Sequence, residues 1–244
     1  PKTVKRKIAS LKAFTHYLLI EEFIEINPFN KIDISFKEPS VLPKTIPLNV
    51  INSILTCAYN LLSQVKTDYQ KRCAVRDIAV LEILFATGAR VSEICTLTSS
   101  SVDLTNHTIK IFGKGSKERM IQIENSDVIK ALQSYYTLFQ EDIKSCGFFF
   151  INKLHNRLTE QSVREIIRKY TDMTEYDIHI TPHMFRHSFA TLLLEEDVDI
   201  RYIQKLLGHS SITTTQIYTY VAMSKQKEIL SAKHPRNKIK VNTK

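Results

Sequence analysis

The chain has 244 residues, 43% of them hydrophobic and 24% charged, a balance that fits a globular protein with a real core and excludes a disordered or fibrous chain. No apolar run approaches the roughly 18 residues of a membrane helix. The net charge of +9 invites a nucleic-acid partner, but it is unevenly placed: residues 1–44 carry eight Lys/Arg against five Asp/Glu, residues 225–244 seven against one, and the rest balances at 19 against 19.

Residues 2–26 have helical period, with Ile8, Leu11, Phe14, Leu18 and Leu19 recurring at three- and four-residue steps, and Asn27-Pro28 as the stop. The early apolar patch ends at Glu21 and Glu22 with no small-residue cleavage site after it, which argues against a signal peptide. The chain starts without Met, and a fragment of a longer protein is the expectation. Residues 30–47 hold three prolines and no period and read as a connecting segment. Helices are expected near 48–63 and 68–87, the second ended by Gly88, with a short one near 91–97.

"HTIKIFGKGSKERMIQI" then reads as a β-hairpin, alternating on both arms around Gly-Lys-Gly. Further helices are expected near 127–142, 160–173 and 182–196, with a strand-like "FFFI" at 148–151 between the first two. Thr181-Pro182 is a helix start, an N-cap followed by Pro at the first position. The last segments fall near 199–207, 212–221 and 224–232. This is a mainly α fold with one small antiparallel sheet. Four cysteines at 57, 73, 95 and 146 form no C-x-x-C pair, which fits reduced thiols in a cytoplasm rather than a zinc ribbon or a disulfide framework.

Four stretches carry possible chemistry. In "TPHMFRHSFATLL" the residues Phe185, Phe189, Leu192 and Leu193 share one arc, and His183, Arg186 and His187 lie on the next. Cations beside an apolar stripe are half buried and need an anionic partner. That partner is either a core carboxylate or a ligand; a zinc reading of the two histidines lacks the glutamate of H-E-x-x-H and a third ligand. In "ATGARVSEICTL", Arg90 opens a helix after Gly88, where free N–H groups and a planar fork suit phosphate. The competing use of Arg90 is a salt bridge to Glu93. In "FGKGSKER", Lys114 sits at a hairpin tip, either merely solvated or mobile enough to reach into a groove and donate a proton. "DIRYIQKLLGHSSITTTQIYTYV" imitates a helix-turn-helix. It also places Tyr218 and Tyr220 nine and eleven residues after His209.

Taken together, Arg90, Lys114, His183, Arg186 and His209 supply two guanidinium forks, an ammonium and two imidazoles. That set suits a phosphodiester: it binds the charge, stabilises more of it in the transition state, and moves protons. A phenol with a pKa near 10 is only about 0.1% ionised at pH 7, but beside a clamped phosphate and a base it becomes a usable nucleophile.

The stretches "LEILFATGARVSEICTL", "IFGKGSKERMIQI" and "TPHMFRHSFATLLLEEDVDIRYIQKLLGHSSITTTQIYTYV" resemble, in order, spacing and flanking residues, the tyrosine recombinases or phage integrase family, and within it the Xer-like bacterial members. The similarity extends over roughly residues 1–233. It implies a site-specific DNA recombinase in which Arg90 and Arg186 clamp the phosphate, Lys114 protonates the leaving 5′ oxygen and His183 is the general base. His209 would hydrogen-bond the phosphate, Tyr218 would be the nucleophile at the family's nine-residue spacing, and Glu93 would support the site. DNA contacts are expected from Arg90, Lys114, Lys117, Arg119 and Arg186.

The resemblance also implies a layout: residues 1–38 as the end of a truncated helical core-binding domain, 39–47 as linker, 48–233 as catalytic domain and 234–244 as a basic tail. No cofactor and no metal are expected, and four protomers are expected on DNA, with the C-terminal segment docking on a neighbour. The location implied is cytoplasmic, at the bacterial nucleoid. Strand cleavage without exchange, as in a type IB topoisomerase, and a non-catalytic helix-turn-helix regulator are the alternatives.

Overall fold

In the computed structural model, residues 2–32, 44–113 and 118–208 are described. Lys114, Lys117, His209 and Tyr218 lie outside the described residues, as do the segments expected near 212–221 and 224–232. The chain divides into two compact units, residues 1–42 and 43–244.

In the first unit α1 runs Lys2–Ile20, six residues short of the expected end. Glu22 takes a left-handed conformation at φ 58°, and the N–H of Phe23 donates to the Leu18 carbonyl at 2.9 Å. This is a Schellman stop built without glycine, reached before the Asn-Pro signal acts. Asn27 instead caps a 3-10 turn, Pro28–Lys31, its Oδ1 accepting from the N–H of Phe29 at 2.9 Å. The α1 stripe remains largely exposed at Leu11, Phe14, Tyr17 and Ile20.

The second unit is built around α3, Asp68–Thr87, with α2, Leu48–Gln64, and α5, Ser126–Cys146, packed on it. Ile78, Val80, Leu81, Ile83 and Leu84 are all buried, so α3 is apolar on more than one face, as an enclosed helix must be. Its start is capped by the Thr67 hydroxyl, which accepts from the N–H of Gln70 at 3.2 Å. Gly88 ends it in the left-handed region at φ 55°. A short α4, Val91–Cys95, follows.

The expected hairpin is present as β2, Thr108–Phe112, and β3, Glu118–Gln122, with Ile109 opposite Ile121 and Ile111 opposite Arg119. Ile109, Ile111 and Ile121 are buried while Phe112 and Met120 face out, the alternation that pinned the register. A two-residue β1, Val102–Asp103, adds a third antiparallel strand beside β2; it was too short to show a period.

"FFFI" does not join this sheet. It makes isolated bridges, Thr98 with Phe148 and Ile151 with Arg157. Tyr135 of α5 holds it, its hydroxyl donating to the Phe149 carbonyl and accepting from the Ile151 N–H, both at 2.9 Å.

Helices α6, Glu160–Asp172, α7, Pro182–Glu195, and α8, Ile200–Leu207, complete the described fold. Thr181 starts α7 by position, but its side chain makes no capping bond; its carbonyl accepts from the Met184 N–H at 2.9 Å. Ser188 of α7 is buried and accepts from the N–H of Ile46 at 2.6 Å, fixing where the chain enters α2. Helices α7 and α8 share a small core of their own, Ala190, Ile203 and Leu207 with Phe189, Leu193 and Val198 against it.

Three elements crowd Gly88. A Cβ there would lie 2.5 Å from Cδ1 of Phe189 and 3.0 Å from Cδ2 of Leu207, and the left-handed backbone already disfavours any other residue. Gly88→Ala is expected to cost about 2–4 kcal/mol from strain and overpacking together. Urea unfolding of the two proteins measures it, and a loss below about 0.5 kcal/mol would show that α7 and α8 yield at this point.

Candidate active site

The site is assembled from chain ends and turns. Gly88 turns the chain out of α3, so that Arg90 becomes the N-cap of α4. Glu93 then reaches back one turn: Oε2 accepts from the backbone N–H of Arg90 at 2.9 Å, and Oε1 accepts from its Nη1 at 2.8 Å. This is the salt bridge weighed from the sequence. It does not consume Arg90, whose side chain is 35% exposed while that of Glu93 is 5% exposed.

Glu93 has a second cation. Nη2 of Arg119, on β3, donates to Oε2 at 2.6 Å and Nη1 to Oε1 at 3.2 Å. Nε of Arg119 donates to the Leu206 carbonyl in the last turn of α8 at 2.7 Å. Arg119, expected to touch DNA, thus has its guanidinium turned inward, and its side chain is only 10% exposed. The signal was available in the strand period: residues 119, 121 and 123 share one face, and Ile121 and Ile123 are core. A cation on a core-facing position requires an acid, and Glu93 is that acid.

Arg186 is buried. Its guanidinium donates to two carbonyls: Nη1 to Gly88 at 2.9 Å and Nη2 to Leu207 at 2.7 Å. The last two residues of α8 therefore give their carbonyls to two arginines. Gly208 follows in the left-handed region at φ 64°. His183 lies one turn before Arg186 and is exposed; His187 is half-buried. Burial lowers the His187 pKa, and the neighbouring His183 and Arg186 lower it further.

Of the expected site residues, Arg90, Glu93, Arg119 and Arg186 are brought together, with His183 on the same helix as Arg186. Two guanidinium groups share the one carboxylate of Glu93, and that of Arg90 stays partly exposed. Such a place attracts an anion and stabilises further negative charge on it.

The phage integrase family model matches residues 50–225. A tyrosine recombinase of Agathobacter rectalis is 57% identical over 97% of this chain and 77% of its own length. The tyrosine recombinase XerC of Bacillus subtilis is 34% identical over 96% of this chain and 75% of its own length. The crystal structure of XerA recombinase superposes with a TM-score of 0.65 at 30% identity, covering 83% of this chain and 67% of that one. Fold and relatives together define an enzyme that breaks and rejoins DNA strands. The chain belongs to the phage integrase family and is a tyrosine-type site-specific recombinase. A simple topoisomerase or a non-catalytic regulator is not favoured by these relatives.

Burial pushes the Glu93 carboxyl pKa up, but the hydrogen bonds from Arg119 and the Arg90 N–H, with the Arg119 charge, outweigh it, and the pKa ends below its ordinary 4.5. A depressed carboxylate pKa stabilises the fold above the unfolded-state value, and that stability is lost as the pH falls through the folded-state value. Glu93→Gln is expected to cost about 3 kcal/mol at pH 7, because two arginines lose their counter-charge. The deficit should shrink as the pH falls below about 4.5, where the unfolded carboxylate takes up a proton, and vanish below the lower folded-state value. Urea unfolding from pH 7 to pH 3 checks this; a deficit independent of pH would remove the ionised Glu93 from the account.

Proposed function

We propose that Tyr218 is the nucleophile and that Arg90, Lys114, His183, Arg186 and His209 form the catalytic set around the scissile phosphate. The observation that carries this reading is the bridge made by Arg186 from the Gly88 carbonyl to the Leu207 carbonyl. It joins the segment that opens into Arg90 to the helix end that opens into His209.

The phenol oxygen of Tyr218 attacks the phosphorus, and its proton passes to His183. The bond to the 5′ oxygen breaks, and Lys114 gives that oxygen a proton. A 3′-phosphotyrosyl link and a 5′-hydroxyl result. The 5′-hydroxyl of a partner strand then attacks the link, Tyr218 leaves, and the same groups run in reverse. One phosphodiester is exchanged for another, so no ATP enters the balance. Arg90 and Arg186 supply positive charge where negative charge develops on the non-bridging oxygens, and His209 adds a hydrogen bond. Lys117 is a candidate DNA contact beside Lys114.

Exchange between two duplexes needs two cuts in each, hence four protomers on double-stranded DNA at a recombination site, within the cytoplasmic nucleoid. The segment after residue 221 is the candidate for docking each protomer on the next. Residues 1–38 would act as the end of a core-binding domain, 39–47 as linker, 48–233 as the catalytic domain and 234–244 as a basic tail. The reading calls for no cofactor.

On a helix Tyr218 and Tyr220 would lie about 200° apart, so one phosphate cannot face both. Tyr218→Phe is expected to keep DNA affinity within about twofold, since one oxygen is lost, and to form no covalent complex. Tyr220→Phe should still form it. Peptide mapping of trapped protein–DNA checks the assignment, and an adduct that persists in Tyr218→Phe but vanishes in Tyr220→Phe would reverse it.

A 5′-phosphorothiolate leaves as a thiolate and scarcely needs a proton. It should therefore rescue Lys114→Ala far more than Arg186→Ala. Equal rescue of the two variants would take the general-acid role from Lys114.

A further inference from the structure

We propose that Arg119 is a positioning residue for strand cleavage, holding Glu93, the end of α8 and the hairpin in one plane so that Arg90 is presented outward. This rests on the reading of Arg90 and His209 as phosphate-binding groups.

The geometry is specific to a guanidinium. Arg119 makes a two-pronged contact with both oxygens of Glu93, and a third bond from Nε to the Leu206 carbonyl. All three use one rigid plane, which an ammonium cannot reproduce. The plane is packed closely: a Cβ on Gly208 would lie 2.9 Å from Nη1 of Arg119. Each of its connections leads to a proposed catalytic group. Glu93 holds Arg90. Leu206 stands three residues before His209 in the sequence, and β3 begins four residues after Lys114.

Arg119 also decides how much of Arg90 the glutamate can take. With Arg119 on both carboxylate oxygens, Arg90 gives Glu93 only its Nη1 from the side chain. Remove Arg119, and Glu93 is a buried carboxylate with one remaining guanidinium. A two-pronged Arg–carboxylate pair is the favoured arrangement, so Arg90 would turn fully onto Glu93 and away from a phosphate. The Leu206 carbonyl would lose its donor at the same time, loosening the end of α8. A misplacement of about 1 Å costs on the order of 100-fold in rate.

The test compares wild type, Arg119→Ala, Arg119→Lys and Arg90→Ala on a suicide duplex carrying the protein's own recombination site. Three quantities are read: the DNA Kd against salt, the single-turnover rate of covalent complex at saturating DNA, and the melting temperature. For Arg119→Ala the expectation is a Kd within about twofold of wild type, an unchanged salt slope, and a rate about 100-fold lower. Arg119→Lys, able to serve the carboxylate or the carbonyl but not both, should bind as wild type and lose about 10-fold in rate.

A Kd that weakens with a salt slope smaller by about 0.9 would make Arg119 a phosphate contact and overturn the proposal. So would a wild-type rate in either variant. If Arg119→Ala fails to fold, Arg119→Lys decides alone; if neither folds, Arg119 is a residue of the fold only, and the proposal fails. Arg90→Ala separates the two layers. Its cleaving at the wild-type rate would sink the site reading itself, whereas its inactivity beside fully active Arg119 variants would sink only this inference.

Discussion

The carbonyls that end α8 belong to two arginines, and the arrangement of the site follows from that. A helix leaves its last carbonyls without partners and carries partial negative charge there. Leu206 and Leu207 offer these groups to Arg119 and Arg186. Bonds of this charge-assisted kind are each worth about 1.5–3 kcal/mol. They matter here because α8 has only eight residues and buries just Ile203 and Leu207. Its small shared core with α7 fixes that it packs; the arginines fix where its end points.

The same two side chains set the charge of the site. Glu93 is buried and meets two cations, and the bonds from Arg119 and Arg90 hold its pKa below the ordinary value. A carboxylate in that position has two consequences. It holds Arg90 by the backbone N–H and one side-chain nitrogen at the mouth of α4, and it keeps the inward Arg119 from being an unpaired buried cation, which would be costly. The excess positive charge is thereby left to the residue that faces solvent. Function at this site is a matter of which cation remains outward, and that depends on how completely the others are occupied.

Much of this was legible in the sequence because local rules and tertiary packing agree. Gly88 ends α3 where a left-handed residue was needed, and the hairpin arms alternate as written. Where the reading fell short, a competing local interaction won. Glu22 adopted the left-handed conformation that glycine usually takes, and α1 ended early. Phe148–Ile151 has strand composition, but Tyr135 took its backbone groups, so it never paired with the sheet. Helical spacing marks Arg186 as a cation beside an apolar stripe, and it cannot reveal that the carbonyls of two distant turns accept from it. Arg119 shares a strand face with Ile121, and that period is the signal for its inward guanidinium; the family resemblance, which implies a DNA contact there, does not carry it.

The bond from Arg186 to Gly88 spans 98 residues and that from Arg119 to Leu206 spans 87. Contacts so distant in sequence form only after the intervening chain has been closed into loops, and they form late. A growing polypeptide therefore carries Arg90 and the hairpin long before it possesses the helix end that organises them. Until α8 has been made and seated, the cations are present without the geometry.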